Sequence, residues 1–228
     1  CTLATIAAAP ILTNPSPTTL NVTLGEDNNP VDTLYAIQVS PTVNGNFWVQ
    51  WNGSVGESPV YQSASIWGIT TVSGLAEYTN YTLSVVARND EGTLSTAGPQ
   101  SSEVTLDATP PTGTLSINNG ITYTNTPNVS LTLTYSDGAG SGMAGMQFSN
   151  DGISWSGWET SSNTKNWTLS PEDGVKTVYV QYRDVAGNVS IGNISANIML
   201  DTTAPTGTIV IDGDTAATAE LNILLTLS

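Results

Sequence analysis

The side chains in this sequence with the widest chemical reach are its carboxylates, 19 Asp and Glu against four Lys and Arg. Asp107, Asp137, Asp184 and Asp201 stand in the segments LDATPP, YSDGAG, YRDVAG and LDTTAP. Oxygen ligands gathered from several loops are what a hard cation such as calcium takes, and on this reading the four Asp meet near one junction of the fold. Their spacing matches no EF-hand loop, and Asp184, ahead of Ala186-Gly187-Asn188, also reads as a turn-capping side chain. No cofactor is expected, with calcium at these four positions as the alternative.

Other site chemistry is restricted by composition. The chain has no His, and Cys1 is its only Cys. No zinc knuckle, internal disulfide, Ser-His-Asp relay or Cys-His pair can therefore form within it. Two carboxylates roughly 5–10 Å apart across a cleft are enough for glycoside hydrolysis. The acids here, however, stand singly in Gly/Asn-rich turns such as 25–29 and 173–174, where a solvated turn is the simpler reading. We expect no enzyme. A formal charge of −15 repels phosphate backbones, so neither nucleic acid nor anionic lipid is an expected partner. No stretch approaches the ~20 apolar residues that span a bilayer.

Two pairs of indoles offer flat rings for stacking on sugars: Trp48 and Trp51 in FWVQW, and Trp155 and Trp158 in WSGW. The competing reading covers a sheet or a module junction with them, since an indole buries well and asks for one hydrogen-bond partner. Alternation along a strand puts Trp48 opposite Phe47, Val49 and Trp51. Asn21, Asn52, Asn80, Asn128, Asn166, Asn188 and Asn193 open N-x-S/T sequons. About five such matches arise by chance at this Ser/Thr content, so the motif alone decides little about glycosylation.

The elements that would position these groups are strands. Val129, Leu131, Leu133 and Tyr135 alternate with Ser130, Thr132 and Thr134, which is a half-buried strand. MQFSNDGISW at 146–155 places Asn-Asp-Gly between two strand-like arms and reads as a hairpin. Val178, Val180 and Tyr182 alternate in the same way before the turn at 184–188, and a last strand is expected at 194–200. No apolar period of 3.6 residues runs for a helix length. Short strands at this spacing, with Gly and Pro between them, indicate antiparallel sandwiches.

Two resemblances follow from these segments. The run TGTLSINNGITYTNTPNVSLTLTYSDGAGSGMAGMQFSNDGISWSGWE, then KNWTLSPEDGVKTVYVQYRDVAGNVS, closed by DTTAPT, resembles the immunoglobulin-like repeats strung in tandem in bacterial and archaeal surface and secreted proteins. In that family the DTTAPTG segment marks the start of each repeat. Upstream, GLAEYTNYTLSVVARNDEG at 74–92 resembles the corner and following strand of fibronectin type III domains, with Tyr81 in the place of the corner tyrosine and Val85 and Ala87 continuing its inward face. Glu77 stands where that family has a proline.

The resemblances imply an all-β, elongated chain of tandem antiparallel β-sandwiches, fibronectin type III-like and then immunoglobulin-like. Residues 1–14 are the end of an upstream module or an N-terminal strand, 15–106 the first domain, 107–200 the second, and 201–228 the first two strands of a further repeat. Cys1 belongs on this reading to the last strand of an upstream module, with a lipid-modified N-terminus as the alternative. Aligning 208–228 on 114–136 with two residues fewer in the turn matches Leu221, Ile223, Leu225 and Leu227 to Val129, Leu131, Leu133 and Tyr135. Their apolar face then needs strands from the same chain or a neighbouring subunit. The implied role is a structural or interaction segment of a bacterial or archaeal cell-surface or secreted protein, a rigid spacer or filament subunit whose partners are neighbouring modules. A carbohydrate- or host-binding adhesin module, or an accessory domain of a secreted hydrolase, is the alternative.

Overall fold

The computed structural model describes residues 4–211 and 225–227; Cys1, Leu221 and Ile223 lie outside them. The described chain is almost entirely strand. Its helical pieces are one turn of α-helix, α1 (Ala64–Trp67), and a 3-10 turn at Asn118–Gly120.

The first sandwich contains β1 (Ile11–Thr13), β2 (Thr19–Thr23), β3 (Leu34–Val43), β4 (Asn46–Val49), β5 (Val55–Gly56), β6 (Gln62–Ser63), β7 (Ile69–Ser73), β8 (Asn80–Arg88) and β9 (Ser101–Val104). One sheet runs β1-β2-β7 and the other β5-β4-β3-β8-β9, with β6 also on β3. Because side chains alternate across a strand, Tyr35, Ile37 and Val39 of β3 enter the core against Leu20, Val22 and Val72 of the opposite sheet, while Ala36 turns outward. The outward face is covered as well: Trp48, Ala36 and Val86 form a small separate cluster with Tyr61.

Tyr81, 3% exposed, reaches back across the corner between β7 and β8, and its hydroxyl accepts the amide of Ala76 at 2.9 Å. Val85 and Ala87 continue its buried face. Trp67, the last residue of α1, is buried and donates its indole N–H to the Tyr35 carbonyl at 2.7 Å, which satisfies the one polar atom it takes inside.

The second sandwich contains β10 (Thr112–Ile117), β11 (Tyr123–Thr124), β12 (Asn128–Ser136), β13 (Met143–Ser149), β14 (Thr164–Thr168), β15 (Gly174–Asp184) and β16 (Ile194–Leu200). Its sheets are β10-β12-β14 and β11-β16-β15-β13. The chain changes sheets at the 3-10 turn: β10 pairs antiparallel with β12, whereas β11 pairs parallel with β16. Val129, Leu131 and Leu133 face Phe148, Val178, Val180 and Tyr182 in the core, and burial of each large apolar side chain contributes about 1.5–3 kcal/mol. The Asn-Asp-Gly turn follows β13, but its far arm is not a strand. It returns through a single bridge, Met146 to Glu159, and Asp151 fastens the loop by accepting the amides of Ile153 and Ser154.

Gly113 shows why the DATPPTG segment ends as it does. A Cβ there would fall 2.3 Å from the ring of Tyr182, whose hydroxyl donates to the Thr114 carbonyl at 3.0 Å.

Beyond residue 200, β17 (Ile209–Ile211) pairs antiparallel with β18 (Leu225–Leu227). The register, Ile209 to Leu227 and Ile211 to Leu225, repeats Leu115 to Leu133 and Ile117 to Leu131 at a constant offset of 94 residues (209 − 115 and 227 − 133). The two-residue shortening expected from alignment is therefore corrected: Leu227 corresponds to Leu133 and Leu225 to Leu131. The number of residues between the two paired strands is the same in both copies, and equal spacing preserves the pairing register. Ile209 and Leu227 are 60% and 75% exposed.

Candidate functional site

Strand register brings three distant carboxylates to one end of the second sandwich. Thr112 pairs with Ser136, which sets the segment entering β10 beside Asp137 at the end of β12. Met143 pairs with Asp184, which sets the end of β15 beside the loop that follows Asp137. Asp107, Asp137 and Asp184 consequently offer oxygens that all lie within 4.8 Å of one another, and the residues are 8%, 8% and 1% exposed. At an effective dielectric constant near 20, two full charges at that separation repel by roughly 3 kcal/mol.

Each carboxylate is held by its own loop. Asp107 accepts the Thr109 amide at 3.1 Å on Oδ1 and the Ser141 amide at 2.7 Å on Oδ2. Asp184 accepts the amide and the side-chain Nδ2 of Asn188 at 2.7 and 2.8 Å, and the same Nδ2 donates to the Asp107 carbonyl at 3.2 Å. Asp137 accepts the Gly142 amide at 2.6 Å on Oδ2, while its Oδ1 is buried without a hydrogen-bond partner. Gly140 makes the close approach possible, because a Cβ there would stand 2.6 Å from Asp137 Oδ2 and 2.7 Å from Asp107 Oδ2.

The electrostatics divide the trio. Burial pushes Asp107 up, but hydrogen bonds from Ser141 and Thr109 outweigh it and the carboxyl lies below its ordinary range. Burial also pushes Asp137 up; the Gly142 amide opposes this, the charges of Asp107, Asp184 and Glu77 add to it, and the net direction is upward. The cations are engaged elsewhere. Lys165 pairs with Glu159, Lys176 donates to the Pro171 carbonyl, Arg183 lies 4.5 Å over the Trp158 ring, and Arg88 lies 5.3 Å over Tyr61.

Glu77 belongs to the corner of the first sandwich and reaches this junction. Its carboxylate accepts the Ala108 amide at 3.1 Å and the Thr109 hydroxyl. Glu77 thus grips the connecting segment. A cleft of about 240 Å³ runs between Glu77, Thr109, Pro110, Ser136, Asp137 and Gly140.

Asp201 does not join the cluster. Leu200 pairs with Gly174, at the opposite end of β15 from Asp184, and eleven strand residues at about 3.3 Å each separate the two ends by roughly 35 Å. Asp201 instead repeats Asp107: it accepts the Thr203 amide at 3.1 Å as Asp107 accepts that of Thr109. Asp173, in the corner before β15, repeats Glu77 by accepting the Thr202 amide at 2.8 Å and the Thr203 hydroxyl at 2.7 Å. Sequence reasoning missed both clamps, and the 94-residue offset between DATPPTG and DTTAPTG was the signal that pointed to them.

The remaining candidate residues are scattered. Trp48 is buried, Trp51 is 74% exposed, and Trp155 and Trp158 are half-buried, with Arg183 over one face of Trp158. Among the sequon asparagines, Asn52, Asn80, Asn128, Asn166 and Asn193 are exposed and Asn21 is half-buried. Asn188 is committed through Nδ2, so a glycan there would have to displace both of its bonds to Asp107 and Asp184. No helix among the described residues is long and apolar enough to cross a membrane.

No family model matches the chain, and no curated protein matches it. Among solved structures it is similar to the fibronectin type III domain of human fibronectin type III domain containing protein 3, with 20% identity over 46% of this chain and 89% of that one, TM-score 0.35. It is also similar to the fibronectin(III)-like modules of Clostridium thermocellum CbhA (18% identity, 87% and 90% covered, TM-score 0.34) and to the chicken CNTN1 FN1-FN3 domains (15% identity, 92% and 72% covered, TM-score 0.43). At these scores the tandem-sandwich fold rests on the chain's own strand order.

Proposed function

We propose that this chain is a structural segment of a modular extracellular protein of a bacterium or archaeon, in which sandwiches joined head to tail act as a spacer of defined geometry. The observation that carries the reading is the repeated clamp. A corner carboxylate, Glu77 and then Asp173, takes an amide and a hydroxyl of the outgoing segment at positions 94 residues apart. A flexible tether needs no such bonds; a set direction does. The two junctions lie at opposite ends of the second sandwich, so each module passes the chain onward rather than folding it back. On this reading β17 and β18 begin another module of the immunoglobulin-like type, and strands of the same chain or of a neighbouring copy cover Ile209 and Leu227.

The test is 15N relaxation on the 228-residue chain. A spacer of set geometry makes amides of the first and second sandwiches report one common, anisotropic tumbling tensor. Two independent correlation times, each fitting a body of about 100 residues, would refute the proposal.

A further inference from the structure

We propose that Asp107, Asp137 and Asp184 form a binding site for one divalent cation of the calcium class, which locks the segment between the sandwiches onto the second. The inference goes beyond the spacer reading and stands whether or not the chain is a spacer. Three carboxylates from three separate segments converge within 4.8 Å, each on a residue more than nine-tenths buried. Acids that merely cap turns stay at the surface, where water screens them; these do not.

One atom points to a ligand. Asp107 and Asp184 have amide donors on both oxygens, and Asp137 has one on Oδ2, but Asp137 Oδ1 is buried with no donor. A buried anionic oxygen is rarely left so, because its desolvation goes uncompensated. The four Lys and Arg side chains are engaged elsewhere, so the compensating charge is not a protein group.

The oxygen type selects the class of ion, and the span of the cluster admits one of calcium's size. Carboxylates without His or thiolate favour hard cations. Oxygens on opposite sides of one calcium ion stand about 4.6–5.2 Å apart, at bond lengths of about 2.3–2.6 Å, whereas the shorter bonds of magnesium bring them to about 4.1 Å. The three oxygens, all within 4.8 Å of one another, fall inside the span of one calcium coordination sphere. Three carboxylates and one such ion leave a net charge of −1. Asp107 belongs to the connecting segment, so an ion held by all three ties that segment to the ends of β12 and β15.

The experiment uses the whole chain, stripped with EGTA and titrated with calcium chloride in an NMR amide-shift assay and in calorimetry. One ion per chain is expected, with shifts concentrated at 107–109, 137–142 and 184–188, and a higher melting temperature in calcium than in EGTA. Asp137→Asn is expected to weaken binding at least tenfold while circular dichroism keeps the strand signal. Should that variant fail to fold, the shift map of the unaltered chain decides. No saturable shifts up to millimolar calcium, shifts dispersed over the acidic surface, or unchanged affinity in folded Asp137→Asn would each overturn the site. Magnesium binding at equal affinity would overturn the assignment to the calcium class.

Discussion

Replacing Gly140 with alanine tests whether the carboxylate end of the second sandwich is as tightly built as its geometry says. The new methyl would lie 2.6 Å from Asp137 Oδ2 and 2.7 Å from Asp107 Oδ2. Both oxygens are already fixed, by the Gly142 amide at 2.6 Å and the Ser141 amide at 2.7 Å. At least one must move and surrender a hydrogen bond to a charged acceptor, a loss of about 1.5–3 kcal/mol, with some further cost if the loop shifts. We expect a total of about 2–4 kcal/mol. For a unit of about 100 residues each kcal/mol lowers the melting temperature by about 4–8 °C, so the transition of the second sandwich should fall by roughly 8–32 °C in scanning calorimetry. That of the first should stay. Gly138→Ala is the control: its φ is +61° but nothing stands within 4 Å of the added methyl, so it carries only the backbone penalty of about 1 kcal/mol. Equal effects of the two substitutions, or less than about 0.5 kcal/mol for Gly140→Ala, would show that the carboxylates yield freely and that the crowding argument is wrong.

Three further outcomes are expected. Tyr81→Phe removes the acceptor of the Ala76 amide and should cost about 1 kcal/mol in urea unfolding, while Tyr182→Phe removes a donor to the Thr114 carbonyl and should cost about 1–3 kcal/mol; two neutral substitutions would empty both hydroxyl bonds of importance. The hydroxyls and amides of Thr203 and Thr202 hold Asp173 down at about 2, below its ordinary value of 3.8. Its folded value is the lower one, so the clamp's contribution is present above about pH 4 and is lost as pH falls through 2; amide exchange at Thr202 should quicken across that window, and a flat profile would contradict the clamp. Limited proteolysis should remove residues beyond about 205 before it cuts within 107–200, because Ile209 and Leu227 are exposed whereas the second core is closed; cleavage in the reverse order would count against an uncovered strand pair.

What the sequence determined by itself is whatever depends on local periodicity. Alternation along 129–135 and 178–182 located buried faces, because successive side chains of a strand point to opposite sides whatever the strand packs on. The motif around Tyr81 located a corner, because the hydroxyl bonds an amide only five residues away. The repeat of DATPPTG as DTTAPTG pointed to two equivalent segments, and the bonds at Thr109 and Thr203 recur at that offset. Only the tertiary structure decided which acids meet. Asp107, Asp137 and Asp184 come together because the registers of β10 on β12 and of β13 on β15 place three distant segments at one end of a sandwich. Asp201, of the same type and in the same motif as Asp107, is carried by the length of β15 to the other end. The same holds for Trp48: alternation sets it on the face opposite Val49, but only the fold shows that Ala36, Val86 and Tyr61 pack around it. Burial of a charge or a ring is a property of what the rest of the chain brings to it, and no local pattern encodes that.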